Sequence, residues 1–275
     1  MLTRIISAAV LIPIALVLVY FGGFLFLIGV LALSVLGAFE MNKLLEKMGY
    51  QDMKTFLLAG AVLIPLLLYF QPAWLGNFFF LFVLSGLLIC LSQYPEGGFA
   101  DLGVNFLSVL YVAFGFGHFV LLRNMDQGML LVAYALVVIW LTDAAAYFGG
   151  GAIGKPPFYQ QISPKKTLEG AIGGLAAGAI GAALFCVIVS RFLPLENKTL
   201  LIILSPFLSA AGQAGDLFES AIKRQAGVKA VSYTHLLFAA DFQGLGHQIE
   251  ALLHPQPAAY LLLVLGVIPG QKIIN

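Results

Sequence analysis

Apolar residues run along this chain in long blocks separated by short polar breaks. The blocks fall near 5–21, 23–39, 56–71, 76–92, 105–122, 129–148, 168–190 and 199–214, with one more near 257–270. A bilayer core of roughly 30 Å is crossed by about 20 apolar residues in a helix. The pattern therefore predicts an all-α polytopic membrane protein with eight or nine transmembrane helices. "FGG" at 21–23 predicts a tight hairpin between the first two. The N-terminal run resembles a signal peptide, but it is long and a second run follows at once, so it is read as a first helix that stays attached.

Composition sharpens this picture. Hydrophobic residues make up 61% of the 275, and charged residues only 10%, against about 25% in soluble domains. Such a chain cannot clothe itself in polar groups, and lipid does not ask it to. The net charge of +1 gives no sign of nucleic-acid binding. Cys90 and Cys186 lie inside apolar runs and read as small hydrophobes rather than as a disulfide or metal site.

Lysine and arginine placement predicts orientation. With alternating crossings, Arg4, then Lys43, Lys47 and Lys54, then Lys155, Lys165 and Lys166, then Lys223, Arg224 and Lys229 fall on one side. The other side holds Arg123, Arg191, Lys198 and Lys272. The richer side is expected to be cytoplasmic, and 1–275 to form one integral membrane domain, with N-terminal helices in 1–128 and a site-bearing half in 129–275.

Three polar groups interrupt the second half. Asp143 sits within the sixth run, with Tyr147 one turn on. An intramembrane carboxylate is a functional candidate by default, the alternative being a brace between helices. In "ISPKKTLEGAIGG" (162–174), Ser163 and Pro164 read as a helix start, Ser as N-cap and Pro in the first turn. Lys165 and Lys166 would then add charge to a helix N-terminus that favours phosphate, or else serve only as topology anchors. Gly170, Gly174 and Gly178 recur every fourth residue and predict close packing against another helix. In "GQAGDLFESAIKRQAGVK" (212–229), Asp216, Glu219, Ser220 and Lys223 share one helix face. Carboxylates alternating with lysines suit a divalent cation that bridges phosphates; the plainer reading is an i,i+4 pair of Glu219 with Lys223. Together the three groups predict a metal-assisted site for a phosphorylated lipid, whose head lies at the interface and whose tails stay in the bilayer.

"SPKKTLEGAIGG", "GDLFESAIKRQAGVK", Asp143-x-x-Ala-Tyr147 and the opening "RIISAAVLIPI", in this order and spacing, resemble the bacterial phosphatidate cytidylyltransferases (CDP-diacylglycerol synthases). The resemblance runs from the N-terminus to about Lys229. It implies a multi-pass enzyme of the bacterial inner (cytoplasmic) membrane, its site facing the cytoplasm. Such an enzyme joins CTP and phosphatidate into CDP-diacylglycerol and pyrophosphate with Mg2+, a second cation being left open. By that resemblance Asp216 is a metal ligand, with Glu219 beside it. Lys223 and Arg224 hold phosphates. Ser163, Lys165, Lys166, Thr167 and Glu169, together with Ser220 and Lys229, shape the substrate pocket, and Asp143 joins Asp216 and Lys223 as a catalytic group. The expected partners are CTP, phosphatidate and the bilayer, with a homodimer left open.

Beyond Lys229 the pattern departs. The family continues with Asp, a short loop, Pro-Gly-His-Gly-Gly and Asp-Arg-x-Asp. Here Ala230 stands at the first acid, and His247 and Gln248 where Asp and Arg belong, before "IEALL" at 249–253 returns to the pattern with Glu250. Asp241 or Glu250 is the candidate replacement; His235 or His247 could lie nearby, although a lone histidine in such a loop is more often incidental. One carboxylate with water holds Mg2+ weakly, so a catalytically impaired member is one expectation. A shifted reading frame across 230–248 would produce the same abrupt loss and return. A transporter, or another transferase of phosphorylated lipids, is the rival class; polar residues gathered at one face rather than through the midplane weigh against transport.

Overall fold

The computed structural model describes residues 2–153, 157–159 and 162–228, with residues 2–11, 152, 153, 157–159, 164 and 165 taken as backbone only. Lys155, Lys229, the departure at 230–248 and the run at 257–270 lie outside them. The described chain is helical apart from one short ribbon: α1 (Leu2–Phe21), α2 (Gly23–Lys47), α3 (Lys54–Phe70), α4 (Leu75–Ser92), α5 (Phe99–Val109), α6 (Gly115–Asn124), α7 (Gly128–Ile153), β1 (Pro157–Tyr159), β2 (Ser163–Thr167), α8 (Leu168–Val189) and α9 (Lys198–Gln225). A π-helical turn, Leu110–Phe114, joins α5 to α6. Among the described residues, six stretches are long and apolar enough to cross a membrane: α2, Pro72–Ser92, the α5–α6 run, α7, α8 and α9. Large apolar side chains such as Phe80 (71% exposed) and Leu91 (72%) point outward, as lipid allows and water does not.

Two compact units divide the chain, the first taking in Met1–Asn124 and the second Met125–Arg224. In the first, α2, α3 and the α5–α6 run share a core that includes Leu27, Leu57, Ile64, Leu68 and Phe116, all nearly inaccessible. The expected hairpin at 21–23 is present. It turns on Gly22, at φ 62° and ψ −152°, a conformation almost closed to residues with a Cβ. Arg123 closes it, donating from Nε to the Val19 carbonyl at 2.8 Å and from Nη2 to Tyr20 at 3.3 Å. A cation on the last carbonyls of a helix satisfies them and suits the dipole. A Cβ at Gly22 would stand 2.3 Å from Nη2. Gly22→Ala should cost about 1–3 kcal/mol of stability, seen as a lowered Tm in detergent; an unchanged Tm would refute the strain.

The helices overrun several apolar blocks. α5 begins at Phe99, ahead of the expected 105, because Asp101 accepts the Gly98 N–H at 2.8 Å and caps the helix. Its other oxygen accepts the Gln51 N–H at 2.9 Å, tying two loops together. α9 continues to Gln225, so "GDLFESAIKR" lies on the same helix as the apolar run before it.

In the second unit α7 and α8 pack closely along the glycine stripe. A Cβ at Gly170 would sit 2.7 Å from the Ala146 carbonyl oxygen, at Gly174 2.9 Å from that of Thr142, and at Gly178 2.7 Å from Thr142 Oγ1. The stripe is a packing surface, as its spacing predicts. Tyr134 of α7 donates from its hydroxyl to the Leu201 carbonyl of α9 at 2.6 Å.

Candidate functional site

The approach to α8 differs from the sequence expectation. Ser163 does not cap a helix and Pro164 is not in a first turn. Ser163–Thr167 is a strand, paired antiparallel with Pro157–Tyr159. The helix starts at Leu168, and its N-cap is Thr167, whose Oγ1 accepts the Gly170 N–H at 3.1 Å. Thr is as good a cap as Ser needs to be, and extended backbone suits the residue before a proline. Glu169 lies in the first turn, so the positive end of the helix already has a carboxylate beside it. Lys165 and Lys166 belong to the ribbon, not to that helix end.

The ribbon brings cations to α9 instead. Lys166 Nζ pairs with Asp216 Oδ2. The two side chains are 31% and 38% exposed, yet the ammonium nitrogen itself is shut off from solvent. One turn along α9, Lys223 pairs with Glu219 at 2.7 Å, which is the plain i,i+4 pair its spacing allows. Arg224 donates from Nε to the Ile162 carbonyl at 3.3 Å, using one of five N–H donors and pinning the ribbon a second time. Ser220 is half-buried on the same helix. Two acids and three bases from β2 and α9 thus collect within about two helical turns, each ion pair neutral in itself.

Asp143 is not part of that collection by height. Thr142 packs opposite Ser209, which places Asp143 about two turns, roughly 10 Å, deeper along α9 than Asp216. It is half-buried there, beside Tyr147, which is exposed.

Sequence reasoning passed over the residues that join the three helices beneath the site. Thr142 Oγ1 donates to the Val138 carbonyl at 2.8 Å, so the Ser209 hydroxyl, 2.8 Å away, donates to it. Gln213 donates from Nε2 to the Ala171 carbonyl at 3.1 Å. The signal was available: Ser205, Ser209, Gln213 and Asp216 step by four, four and three residues along one face of an otherwise apolar helix.

Among the described residues no three of His, Cys, Asp and Glu gather to hold a metal ion. Asp216 and Glu219 are one turn apart and each faces an ammonium. That donor set does not suit a closed protein cage. It does suit Mg2+ that keeps several waters and takes further ligands from substrate phosphates, since Mg2+ is commonly held through only one or two carboxylates.

The chain also matches known proteins along most of its length. The Cytidylyltransferase family matches residues 2–234. The phosphatidate cytidylyltransferase of Bacillus subtilis (strain 168) is 38% identical over 168 residues, 61% of this chain and 60% of that protein. That of Staphylococcus haemolyticus (strain JCSC1435) is 34% identical over 237 residues, 83% and 85% of the two chains. That of Aquifex aeolicus (strain VF5) is 30% identical over 204 residues, 72% and 73%.

Proposed function

This chain belongs to the Cytidylyltransferase family, and from that membership we propose that it transfers CMP from CTP to phosphatidate, giving CDP-diacylglycerol and pyrophosphate. The observation that carries the reading is the meeting of Lys166 from the ribbon with Asp216 from α9, beside Lys223 and Arg224. Cations from two separate segments meet around an acid, which supports a polyphosphate as the ligand.

In this reading the two units act as one membrane domain of eight or nine crossings, with α1 and α3 among them. The ribbon and the end of α9 face the cytoplasm of a bacterial inner membrane, on the strength of the lysine and arginine bias. Phosphatidate reaches the site from the bilayer, its phosphate at the interface. A lipid phosphate oxygen attacks the α-phosphorus of CTP, the bond to the bridging oxygen breaks, and pyrophosphate leaves with the electron pair. Such a transfer is mostly positioning and charge neutralisation. Lys166, Lys223 and Arg224, with Lys165 and Lys229, hold phosphate oxygens. Ser163, Thr167, Glu169 and Ser220 shape the pocket wall, and Asp143 lines its floor. Asp216 and Glu219 would hold Mg2+, which neutralises charge building on the phosphates.

These ion pairs bear on binding. Lys166 must leave Asp216 for a phosphate, and Lys223 must leave Glu219. Each exchange trades one ion pair for another in the same surroundings, so little desolvation opposes it.

The departure from the family pattern at 230–248 supports a second reading, an impaired member that lacks the acids expected to complete the metal's ligands. Both readings are tested by supplying CTP, phosphatidate and Mg2+ to the purified full chain, beside a version with the Asp, His-Gly-Gly and Asp-Arg-x-Asp elements restored. CDP-diacylglycerol should form, and at least about tenfold faster in the restored version, since loss of even an outer partner of a metal site usually costs that much. Equal rates would discard the impaired reading. No product from either version would discard cytidylyl transfer.

A further inference from the structure

α9 carries a proline within its length, Pro206. Proline has no N–H, so the carbonyl four residues back, Ile202, loses its helical donor, and the helix is weakened there. The Ser205 hydroxyl donates to that very carbonyl at 2.8 Å, and Ser205 is fully buried. The break is thus healed locally, but the backbone ladder is still one bond short. Everything assigned to the site on α9 lies beyond it: Asp216 is ten residues, about 15 Å, further on. A swing of about 5° at Pro206 moves Asp216 by more than 1 Å, and a misplacement of about 1 Å can cost a reaction roughly a hundredfold.

Side-chain contacts restrain that arm against α7 and α8. Ser209, fully buried, meets Thr142. Gln213 meets the Ala171 carbonyl in the first turn of α8. Both are let in by missing side chains: a Cβ at Gly178 would stand 3.2 Å from the Ser209 Cβ, and one at Gly174 3.1 Å from Gln213 Nε2. Gly178 faces Ser209 and Gly174 faces Gln213, so the next step brings the first turn of α8 level with Asp216. Ala171 lies five residues after Lys166 and Gln213 three before Asp216. The Gln213 bond therefore joins the two segments whose charged ends must meet.

We infer that Gln213 is a positioning residue: by holding the arm of α9 beyond Pro206 to the first turn of α8, it sets Asp216 opposite Lys166. This rests on the reading above only for what the positioned groups do. Ser209 and Thr142 hold the helices together nearer the hinge, where the lever is short; Gln213 acts where it is long.

The test reads geometry. In a Cys90→Ser, Cys186→Ala background, the full chain in membranes carries either Lys166→Cys with Asp216→Cys, or Thr142→Cys with Ser209→Cys, and cross-linking by a short bis-methanethiosulfonate is timed, since a lysine–aspartate pair holds its Cβ atoms farther apart than the roughly 4 Å of a direct disulfide. Adding Gln213→Leu, of similar volume but without a donor, should slow the site pair roughly threefold to tenfold, the effect of one interhelical hydrogen bond. The deeper pair should close at its former rate. An unchanged site pair overturns the inference. Equal slowing of both pairs also overturns it, because Gln213 would then be holding the packing as a whole. The cross-links form whether or not CTP is turned over, so a chain that never makes CDP-diacylglycerol would sink the functional reading and leave this one standing.

Discussion

Asp216→Asn should abolish CDP-diacylglycerol formation, in whichever version of the chain shows it, by about 10²–10³-fold or more, while the protein folds as before. The two halves of this expectation come from the same contact. Asn keeps the shape of Asp and still offers Lys166 an oxygen acceptor, so the ribbon stays docked. The Lys166 nitrogen is covered, but both side chains are about a third exposed, so water at the carboxylate keeps the pair's contribution near the ~1 kcal/mol of exposed pairs. In the proposed reaction, what Asn would not supply is a negative charge for Mg2+ or a counter-charge to return Lys166 to place after pyrophosphate leaves. Turnover, CTP binding in the presence of Mg2+ and the thermal midpoint should be measured on one preparation. Loss of turnover with an unchanged midpoint is expected. Retention of full turnover would remove Asp216 from the chemistry, whatever the contacts around it.

That a candidate site could be read from the sequence at all follows from how lipid edits sequence. In an apolar chain a charged residue is conspicuous, and its spacing then says which face it shares. Asp216, Glu219 and Lys223 were legible for that reason, since one helix fixes their relation. Their meeting with Lys166 was legible only as a coincidence of polar segments, because no spacing rule joins residues fifty apart. The start of α8 was misread at Ser163. Ser-Pro is a sound opening for a helix, but the same dipeptide is equally at home in extended chain. Pairing with Pro157–Tyr159 decided between them, and pairing is a tertiary fact. Gln213, Ser209 and Thr142 were passed over because serine, threonine and glutamine stand out far less than charges in an apolar run. The eight apolar blocks before residue 228 each correspond to helix, whereas their ends moved with caps such as Asp101 that hydrophobicity does not record.

Gly170→Ala and Gly173→Ala should shift stability in opposite directions, though they lie three residues apart on one helix. Alanine is favoured over glycine in a helix by about 1 kcal/mol, and at Gly173 nothing stands within 4 Å of the new Cβ. That variant should be neutral or slightly more stable. At Gly170 the new Cβ would lie 2.7 Å from the Ala146 carbonyl oxygen and 3.1 Å from the Gly150 Cα. Both are backbone atoms and neither can rotate aside. Overpacking of this kind costs about 1–3 kcal/mol or more, enough to outweigh the propensity gain. The strain falls in the turn that Thr167 caps, immediately after Lys166, so α8 and the ribbon must shift together away from α7. A displacement there of a few tenths of an ångström or more reaches Lys166 directly, and cytidylyl transfer should fall by more than about tenfold. Thermal midpoints in detergent, taken with turnover for both variants, decide the matter. If the two alanines behave alike, the close approach of α7 to α8 at Gly170 is not what holds the ribbon over Asp216.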